Sequence, residues 1–314
     1  MEKKAASSAH TNSDQILFMP VPGLAGIAVA GADAFTFLQG QATCDMRQIT
    51  PGRSRLGAFC NPQGRVVATF RILAQDEGYL LLLAADLLEP VIRRLQMYVL
   101  RAKVSIQTAD VGLAGIGGMA ARLFPDLPEE ANTVTRIGEL NWVRIADPEP
   151  RWLVVGDFPC VEQLRQRLAT TSGIATMDES YWSLREIRSG IPTIHRATSE
   201  KFLPQMLNLE LLGGVSFNKG CYTGQEVIAR SQFRGQVKRR LYHLGGPLPH
   251  TPAPGDPLVD QGNSVGQVID AAPAGTFVEF LAVIRCDRAH SSTVRLKAAP
   301  ETALRWLDLG YTLP

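Results

Sequence analysis

The stretch Lys219-Gly220-Cys221-Tyr222-Thr223-Gly224-Gln225-Glu226 places one thiol between a lysine and the expected start of a helix. Thr223 followed three residues later by Glu226 is the pattern of a capping box, in which both side chains bind free N–H groups of the first turn. Cys221 would then lie just outside that turn, where the helix dipole and the charge of Lys219 both favour a thiolate. We therefore expect Cys221 to be a reactive thiol, with Lys219 as its activating neighbour.

A lone cysteine is more often a small buried hydrophobic residue, and we expect that role for the cysteines at positions 44, 60, 160 and 286. Cys221 differs from them because lysine, two glycines and a capping pattern surround it. An odd number of cysteines without a C-x-x-C pair argues against a disulfide framework, a structural zinc or a permanently bound cluster. It favours a reducing, cytoplasmic compartment.

The composition is that of an ordinary globular protein. At 314 residues and 45% hydrophobic content, the chain can bury a large core and has the length of two or three domains. No apolar run approaches the roughly 20 residues needed to span a bilayer. Residues 1–15 are polar and lack the apolar core of a signal peptide, so we expect a flexible leader there and no membrane contact. The net charge of +2 argues against bulk nucleic-acid binding.

Hydrophobic patterning predicts a mixed α and β region after the leader. The turn sequence Asn61-Pro62-Gln63-Gly64 predicts a hairpin between two strand-like runs. The other predicted elements are a first strand at Ile27–Ala30, a helix from Ala32 that ends at Gly40, a strand at Tyr79–Ala84 and a helix at Leu87–Leu100.

A weak internal repeat links two parts of this region. The strand at Tyr79–Ala84 leads into a basic helix, and Arg151–Gly156 leads into a second basic helix after a strand pair around Arg136–Ile145. Two similar halves could face each other across a pseudo-twofold axis, with a ligand cleft between them. Strand-turn-helix units are also common by chance, and the two interpretations are about equally supported.

From Leu241 onward the amino-acid composition changes. A stretch rich in proline and glycine precedes short strand-like runs at Val265–Ile269, Phe277–Ile284 and Val294–Leu296. This pattern predicts a small C-terminal β domain of independently folding size. Just before it, the basic run Lys238-Arg239-Arg240 is most simply a solvated strand end, although it could contact a polyglutamate tail or RNA phosphates.

The octapeptide continues through Val227-Ile228-Ala229-Arg230 and Phe233-Arg234-Gly235 to the basic run, and Leu38 to Asp45 reads LQGQATCD. These runs resemble the signature of the YgfZ family of folate-binding proteins, which are relatives of the T-protein of glycine cleavage (GcvT). The resemblance implies an α+β, GcvT-like fold: two mixed α/β lobes around a central folate cleft over residues 16–236, and a six-stranded C-terminal β-barrel domain over residues 237–314.

The resemblance also implies a function. Members of the family bind tetrahydrofolate or another folate, and they support the assembly or repair of iron-sulfur clusters in client enzymes, including radical enzymes that modify tRNA. We therefore expect transient contacts with iron-sulfur client or assembly proteins, while a direct RNA contact stays open.

Folate presents a flat pterin, an aryl linker and a glutamate tail, so its site needs an apolar or aromatic slot beside cationic groups. A helix predicted around residues 181–190 places Trp182, Arg185 and Glu186 within one turn. A core tryptophan and a solvated Arg-Glu pair are the ordinary alternatives. The resemblance implies that Trp182 lines the folate pocket, with Arg185 as a cationic candidate and Leu24 where some relatives have an aromatic residue.

Further candidates come from the signature region. Glu210 could accept two N–H bonds from the aminopyrimidine edge of a pterin, and a surface or capping role is about as frequent. The resemblance also makes Tyr222, Gln225 and Glu226 candidates for ligand contact.

One catalytic group of the T-protein has no counterpart here. That enzyme uses an aspartate soon after the glycine turn of its second hairpin, whereas Gly64 is followed by Arg65-Val66-Val67-Ala68-Thr69. Neither Ala68 nor Thr69 supplies a carboxylate, so aminomethyl transfer is disfavoured. The sequence predicts a folate-binding accessory protein with Cys221 as its functional thiol. Two alternatives stay open: a one-carbon transferase in which Cys221 or Glu226 replaces the carboxylate, and a folate-binding module with a structural Cys221.

Overall fold

The computed structural model describes residues 15–314, apart from the side chain of Arg234. The leader predicted for residues 1–15 lies outside the described residues, except for Gln15. The elements of the N-terminal region are β1 (Ile16–Pro20), β2 (Leu24–Ala30), α1 (Ala34–Gln41), β3 (Arg55–Cys60), β4 (Val66–Gln75), β5 (Gly78–Ala84), α2 (Leu88–Val99), β6 (Ser105–Ala109), β7 (Gly112–Gly118), β8 (Val134–Ile137), β9 (Leu140–Arg144), β10 (Arg151–Gly156), α3 (Phe158–Ala169), β11 (Ile174–Thr176), α4 (Ser180–Arg188) and α5 (Gln225–Arg234).

The first sheet has five strands in the order β3-β4-β5-β2-β6, and all neighbouring strands are antiparallel. The predicted hairpin is confirmed: it joins β3 to β4, and Gly64 in its turn has a φ of 73°, which glycine adopts without strain. The predicted helix at Leu87–Leu100 is confirmed as α2. Helix α1 begins two residues later than predicted and runs through Gly40 to Gln41.

The second sheet has six strands in the order β11-β1-β7-β10-β9-β8. Strand β1, which the sequence analysis missed, precedes the predicted first strand and belongs to this second sheet. The internal repeat is confirmed in the topology, because β3-β4-β5-β2 and β8-β9-β10-β7 are the same antiparallel arrangement, and a helix follows both β5 and β10.

The two sheets pack face to face because their central strands are apolar on both faces. Side chains alternate along a strand, so Leu80 and Leu82 enter the core between the sheets, while Leu81 and Leu83 join the core on the opposite face of the first sheet. In β10, Leu153 and Val155 enter the same inter-sheet core, whereas Trp152 and Val154 pack with α3. The near-continuous apolar runs in the sequence are therefore strands buried on both faces.

The C-terminal region is a six-stranded sheet with the order β16-β13-β14-β15-β12-β17. Its strands are β12 (Arg239–Gly246), β13 (Pro257–Asp260), β14 (Asn263–Ala274), β15 (Phe277–Arg285), β16 (Val294–Leu296) and β17 (Arg305–Leu307). The predicted number of strands is confirmed. The sheet curls into a half-barrel and does not close, because its edge strands β16 and β17 are not paired with each other. Strand β12 begins inside the basic run, at Arg239, where the sequence analysis predicted only a solvated strand end.

Helix α4 lies where the second sheet meets the C-terminal sheet, in contact with β1, β14 and β15. Its last residue, Arg188, forms an ion pair of 2.7 Å with Glu279 of β15, and His243 of β12 lies 3.1 Å from the same carboxylate. Burial raises the pKa of Glu279, but Arg188 and His243 outweigh burial and lower that pKa to about 2. This carboxylate therefore couples the N-terminal region to the C-terminal sheet.

The described helices include none with the length and apolarity needed to cross a bilayer.

Replacing Glu279 with glutamine should lower the free energy of unfolding near neutral pH by about 1.5–3 kcal/mol, as expected for a hydrogen bond to a charged group. The folded pKa of Glu279 lies below its ordinary value of 4.5, so its stabilisation is present above that pH and is lost as the pH falls toward 2. Urea denaturation over a pH series should therefore show a shallower acid dependence in Glu279→Gln than in the wild type. The exposed Glu301→Gln variant is the control, and equal acid slopes in all three proteins would contradict the assignment.

Candidate functional site

A cavity of about 260 Å³ lies between the two N-terminal sheets and reaches the C-terminal sheet. The cleft that the repeat predicted between two similar halves is therefore present. Its apolar wall includes leucine and isoleucine side chains, among them Leu24, Leu56, Leu82, Ile145 and Leu153. Its polar lining consists of Thr69, Arg71, Ser183, Glu186, Thr193, His195 and Asp270.

Trp182 lines this cavity and also packs in the core between the two sheets. Its side chain is 4% exposed, and the guanidinium of Arg151 lies 4.4 Å from the centre of its ring. A Cβ atom at Gly115 of β7 would approach the same ring to 2.4 Å, so the ring lies directly against the backbone of that strand. The interpretation of Trp182 as a core residue is therefore confirmed, and its contact with folate stays a prediction.

Arg185 is absent from the cavity lining, contrary to its role as a cationic candidate. Its guanidinium forms ion pairs with the buried carboxylate of Asp147 and with Glu149. A guanidinium at a buried position needs such partners, since desolvating an unpaired charge is costly. Arg185 therefore holds α4 against the second sheet.

The buried cation on the cavity wall is Arg71 of β4, which the sequence analysis missed. Arg71 donates hydrogen bonds to Ser54 Oγ at 3.2 Å and to Asn132 Oδ1 at 2.8 Å, and burial lowers its pKa to about 10. The sequence did carry a signal for Arg71, which is an arginine inside an otherwise apolar strand. Such a charge is buried only where it has partners or a function.

The position where the T-protein resemblance placed a carboxylate carries a hydroxyl with fixed partners. Thr69 Oγ1 donates to the carbonyl of Pro192 at 3.1 Å and accepts from the N–H of Ile194 at 3.0 Å. The carboxylates on the lining are Glu186 and Asp270, and Glu186 lies 2.6 Å from Arg151. Thr69 thus anchors the segment after α4 to β4 and leaves no carboxylate at this point.

Glu210 lies away from the cavity, contrary to its candidacy as a pterin partner. Its side chain is 7% exposed and forms an ion pair with Arg240 of β12, whose guanidinium also binds the amide oxygen of Asn208. The buried carboxylate requires a counter-ion, and the basic run supplies it. Arg240 is therefore an internal residue rather than part of a solvated patch.

Lys219 faces a different part of the structure from the one predicted. Its buried ammonium donates to the carbonyls of Ala42 at 2.7 Å and Cys44 at 2.8 Å, and it lies 5.1 Å from the ring centre of Tyr222. Burial lowers the pKa of Lys219 to about 8. The lysine therefore joins the signature to the segment Leu38–Asp45, and its hydrogen bonds are not directed at Cys221.

The predicted capping box is wrong. Helix α5 begins after Gly224, which has a φ of 82°, and neither Thr223 nor Glu226 caps its first turn. Gln225 Oε1 instead accepts from the N–H of Tyr222 at 3.1 Å. Glu226 is exposed and forms an ion pair of 3.2 Å with Arg230. The glycine conformation starts this helix, so a side-chain cap is not required.

Cys221 is exposed, whereas the neighbouring Tyr222 is 6% exposed and packs into the core. None of the predicted signature residues, from Lys219 to Glu226, lines the cavity. The structure thus gathers Leu24 and Trp182 at one place and Cys221, Tyr222, Gln225 and Glu226 at another. No group of three His, Cys, Asp or Glu side chains in residues 15–314 could hold a metal ion.

Two related proteins match most of the chain. The tRNA-modifying protein YgfZ of Colwellia psychrerythraea is 35% identical over 228 residues, which cover 71% of this chain and 69% of that protein. The tRNA-modifying protein YgfZ of Yersinia pestis is 32% identical over 299 residues, which cover 91% of this chain and 90% of its own length. This chain belongs to the YgfZ family.

No family model matches this YgfZ-family chain. Among solved structures, the glycine cleavage system aminomethyltransferase T from Bartonella henselae superimposes with a TM-score of 0.77 at 17% identity, covering 94% of this chain and 86% of that one. This likeness confirms the GcvT-like α+β fold.

Gly224→Ala should lower the free energy of unfolding by roughly 1–2 kcal/mol or more, because a left-handed conformation is unfavourable for alanine. A Cβ atom there would also lie 2.5 Å from the carbonyl oxygen of Asn61. Gly220→Ala is the matched control within the same octapeptide, since its Cβ would meet nothing within 4 Å. Urea denaturation measures both, and equal stability of the two variants would contradict this role for Gly224.

Iodoacetamide should modify Cys221 before the other four cysteines, because its thiol is exposed. Cys44 and Cys60 are buried, and burial raises the pKa of Cys44 to about 11 and that of Cys60 further. Peptide mass spectrometry of the native protein over a time course gives the order, with urea-unfolded protein as the control in which all five should react. Slower labelling of Cys221 than of Cys160 or Cys286, which are partly buried, would contradict this expectation.

Proposed function

We propose that this chain binds tetrahydrofolate in the inter-sheet cavity and acts as an accessory protein in the assembly or repair of 4Fe-4S clusters in client enzymes, including enzymes that modify tRNA. Cys221 is its functional thiol. The observation that carries the proposal is the separation of two features: a largely apolar cavity with a buried cation, and an exposed thiol on the family's signature octapeptide.

The cavity suits the pterin head of the ligand. Leu24, Leu82 and Trp182 supply an apolar slot for a flat ring, and Arg71 supplies a buried positive charge. Its volume of about 260 Å³ is below the roughly 300–1,000 Å³ of pockets that enclose drug-sized ligands. The cavity therefore matches the bicyclic head, and the aryl-glutamate tail would extend outside it. Bound tetrahydrofolate would supply a reduced pterin able to carry a one-carbon unit.

The exposed thiol suits transient contact with a cluster or its ligands. Cysteine thiolates are the usual ligands of iron-sulfur clusters, and a stable site needs several of them. One exposed thiol can therefore take part in transfer or repair without retaining a cluster. On the adjacent α5, Val227 and Phe233 are 39% and 72% exposed, which gives a client or assembly protein an apolar surface to contact.

The location and the partners belong to the same proposal. All five cysteines are free, which fits a reducing cytoplasm. The matched relatives carry the name tRNA-modifying protein, which supports clients in tRNA modification. The contact with RNA would then be made by the client enzyme.

The one-carbon transferase alternative has less support. It requires Cys221 or Glu226 to take the part of the missing carboxylate, and neither side chain lines the cavity. Thr69, at the corresponding point of β4, has both of its hydrogen bonds committed to the segment after α4.

Trp182→Phe should weaken tetrahydrofolate binding about fivefold, which is the lower part of the 1–3 kcal/mol range for loss of aromatic stacking on a base. Phenylalanine is the appropriate substitution, because Trp182→Ala would open a core cavity at a cost of about 3–5 kcal/mol. Isothermal titration calorimetry measures the affinity. Trp306→Phe, on the C-terminal sheet outside this cavity, is the control. Unchanged affinity in a natively folded Trp182→Phe protein would remove Trp182 from the site.

Cys221→Ser should leave folate affinity and the thermal unfolding temperature nearly unchanged, because the exposed thiol touches neither the cavity nor the core. The same variant should lose its support of cluster-dependent enzymes, measured by complementation of a strain that lacks the protein. Cys160→Ser provides the matched control and should complement fully. Full complementation by Cys221→Ser would show that the thiol is dispensable and that the accessory function lies elsewhere.

A further inference from the structure

His195 and Asp270 come from distant parts of the chain and meet at the wall of the cavity. His195 follows α4 in the segment anchored by Thr69, whereas Asp270 belongs to β14 of the C-terminal sheet. The His195 ring lies between two carboxylates: Nδ1 is 3.7 Å from Asp86 Oδ1, and Nε2 is 3.9 Å from Asp270 Oδ1. Asp270 is the only residue of the C-terminal sheet in the lining of this cavity, within the part of the chain that the structure describes.

His195 has a buried ring nitrogen without a hydrogen-bond partner, and the neighbouring Asp270 carboxylate is partly exposed. His195 Nε2 is buried and has no partner, because 3.9 Å is too long for a hydrogen bond. Asp270 Oδ1 accepts from the N–H of Ala271 at 2.9 Å, and no donor among residues 15–314 contacts Oδ2. Buried polar groups in proteins are almost always satisfied. A buried ring nitrogen without a partner, next to a carboxylate on the same cavity wall, therefore indicates a ligand that bonds to both.

The other charged groups on the lining already have partners. Arg71 binds Ser54 and Asn132, and Glu186 is paired with Arg151. His195 and Asp270 differ from them, because the two side chains approach each other no closer than 3.9 Å and neither is held in a close ion pair.

We propose that His195 and Asp270 together select the heterocycle that enters the cavity. Asp270 accepts from two adjacent N–H groups of an aminopyrimidinone edge, and His195 Nε2 donates to the neighbouring carbonyl oxygen. The edge of a reduced pterin presents this order of amino group, ring N–H and 4-oxo group. The inference rests on the proposed function and adds to it a specificity: 4-oxo heterocycles should bind, and 4-amino analogues, which put a donor opposite the His195 donor, should be rejected.

The surrounding charges favour the donating form of His195. Burial lowers the pKa of His195, but Asp270 and Asp86 outweigh burial, so the pKa lies above its ordinary value. A protonated imidazole donates from both ring nitrogens. Glu186 and Arg71 also face this cavity, and each keeps its own partner. Preference for 4-oxo ligands should therefore be greatest at low pH and decline as the pH rises through the raised pKa.

The test compares two ligands by isothermal titration calorimetry: 5-formyltetrahydrofolate, which has the 4-oxo group, and methotrexate, a 2,4-diamino analogue. Titrations run at about pH 6 and about pH 8.5, on either side of the histidine range. Wild type should prefer 5-formyltetrahydrofolate at the lower pH and lose part of that preference at the higher one. Asp270→Asn should weaken the binding of 5-formyltetrahydrofolate at least tenfold. His195→Gln should lower the preference for 5-formyltetrahydrofolate over methotrexate about fivefold or more.

Asp86→Asn is the matched control, because Asp86 touches His195 from outside the lining. It should move the pH dependence to lower pH and keep the preference at the lowest pH intact. One outcome would overturn this inference and leave the proposed function standing. In that outcome the wild type binds 5-formyltetrahydrofolate, and the affinities of Asp270→Asn and His195→Gln lie within twofold of the wild-type affinity. Failure of the wild type to bind either ligand would overturn both. If a variant does not fold, a pH-independent ligand preference in the wild type decides against the inference.

Discussion

The buried carboxylate of Asp147 is the constraint on which the site depends. Its side chain is 1% exposed, so the charge is stable there only with partners. Arg151 of β10 contacts it at 2.5 Å, and Arg185 of α4 binds the other oxygen. Burial raises the pKa of Asp147, but the two arginines outweigh burial and lower it. A single carboxylate thus fixes α4 against the second sheet.

The position of α4 determines two other features. On the cavity side, the helix brings Trp182 and Glu186 to the wall, and Arg151 supports both of them. On the other side, Arg188 reaches Glu279 and holds the C-terminal sheet close enough for Asp270 to join the lining. Ion pairs that lie mostly outside the cavity therefore position the elements that line it.

Buried and exposed residues stand next to each other in the signature octapeptide. Lys219 is buried and joins the octapeptide to the carbonyls of Ala42 and Cys44, and Tyr222 packs in the core. Cys221, between them in sequence, points to solvent. Holding its neighbours in the core gives the thiol a fixed place on the surface.

Patterns of local origin could be predicted from the sequence alone. The hairpin around Gly64, helix α2 and the repeated strand order all follow from turn chemistry and periodicity. Resemblance added the GcvT-like fold and placed Leu24 and Trp182 on one cavity wall. Such features can be predicted from the sequence because neighbouring residues determine them, or because a related fold already contains them.

Only the tertiary structure decided which charges meet. Arg185 and Glu210 have residue types suited to a ligand, yet Asp147 and Arg240 neutralise them inside the protein. His195 and Asp270 gave no local signal, because they come together only when the C-terminal sheet closes on the N-terminal region. The physical reason is desolvation: a buried charge takes its role from the partners that the fold brings within a few ångströms, and sequence spacing does not report them.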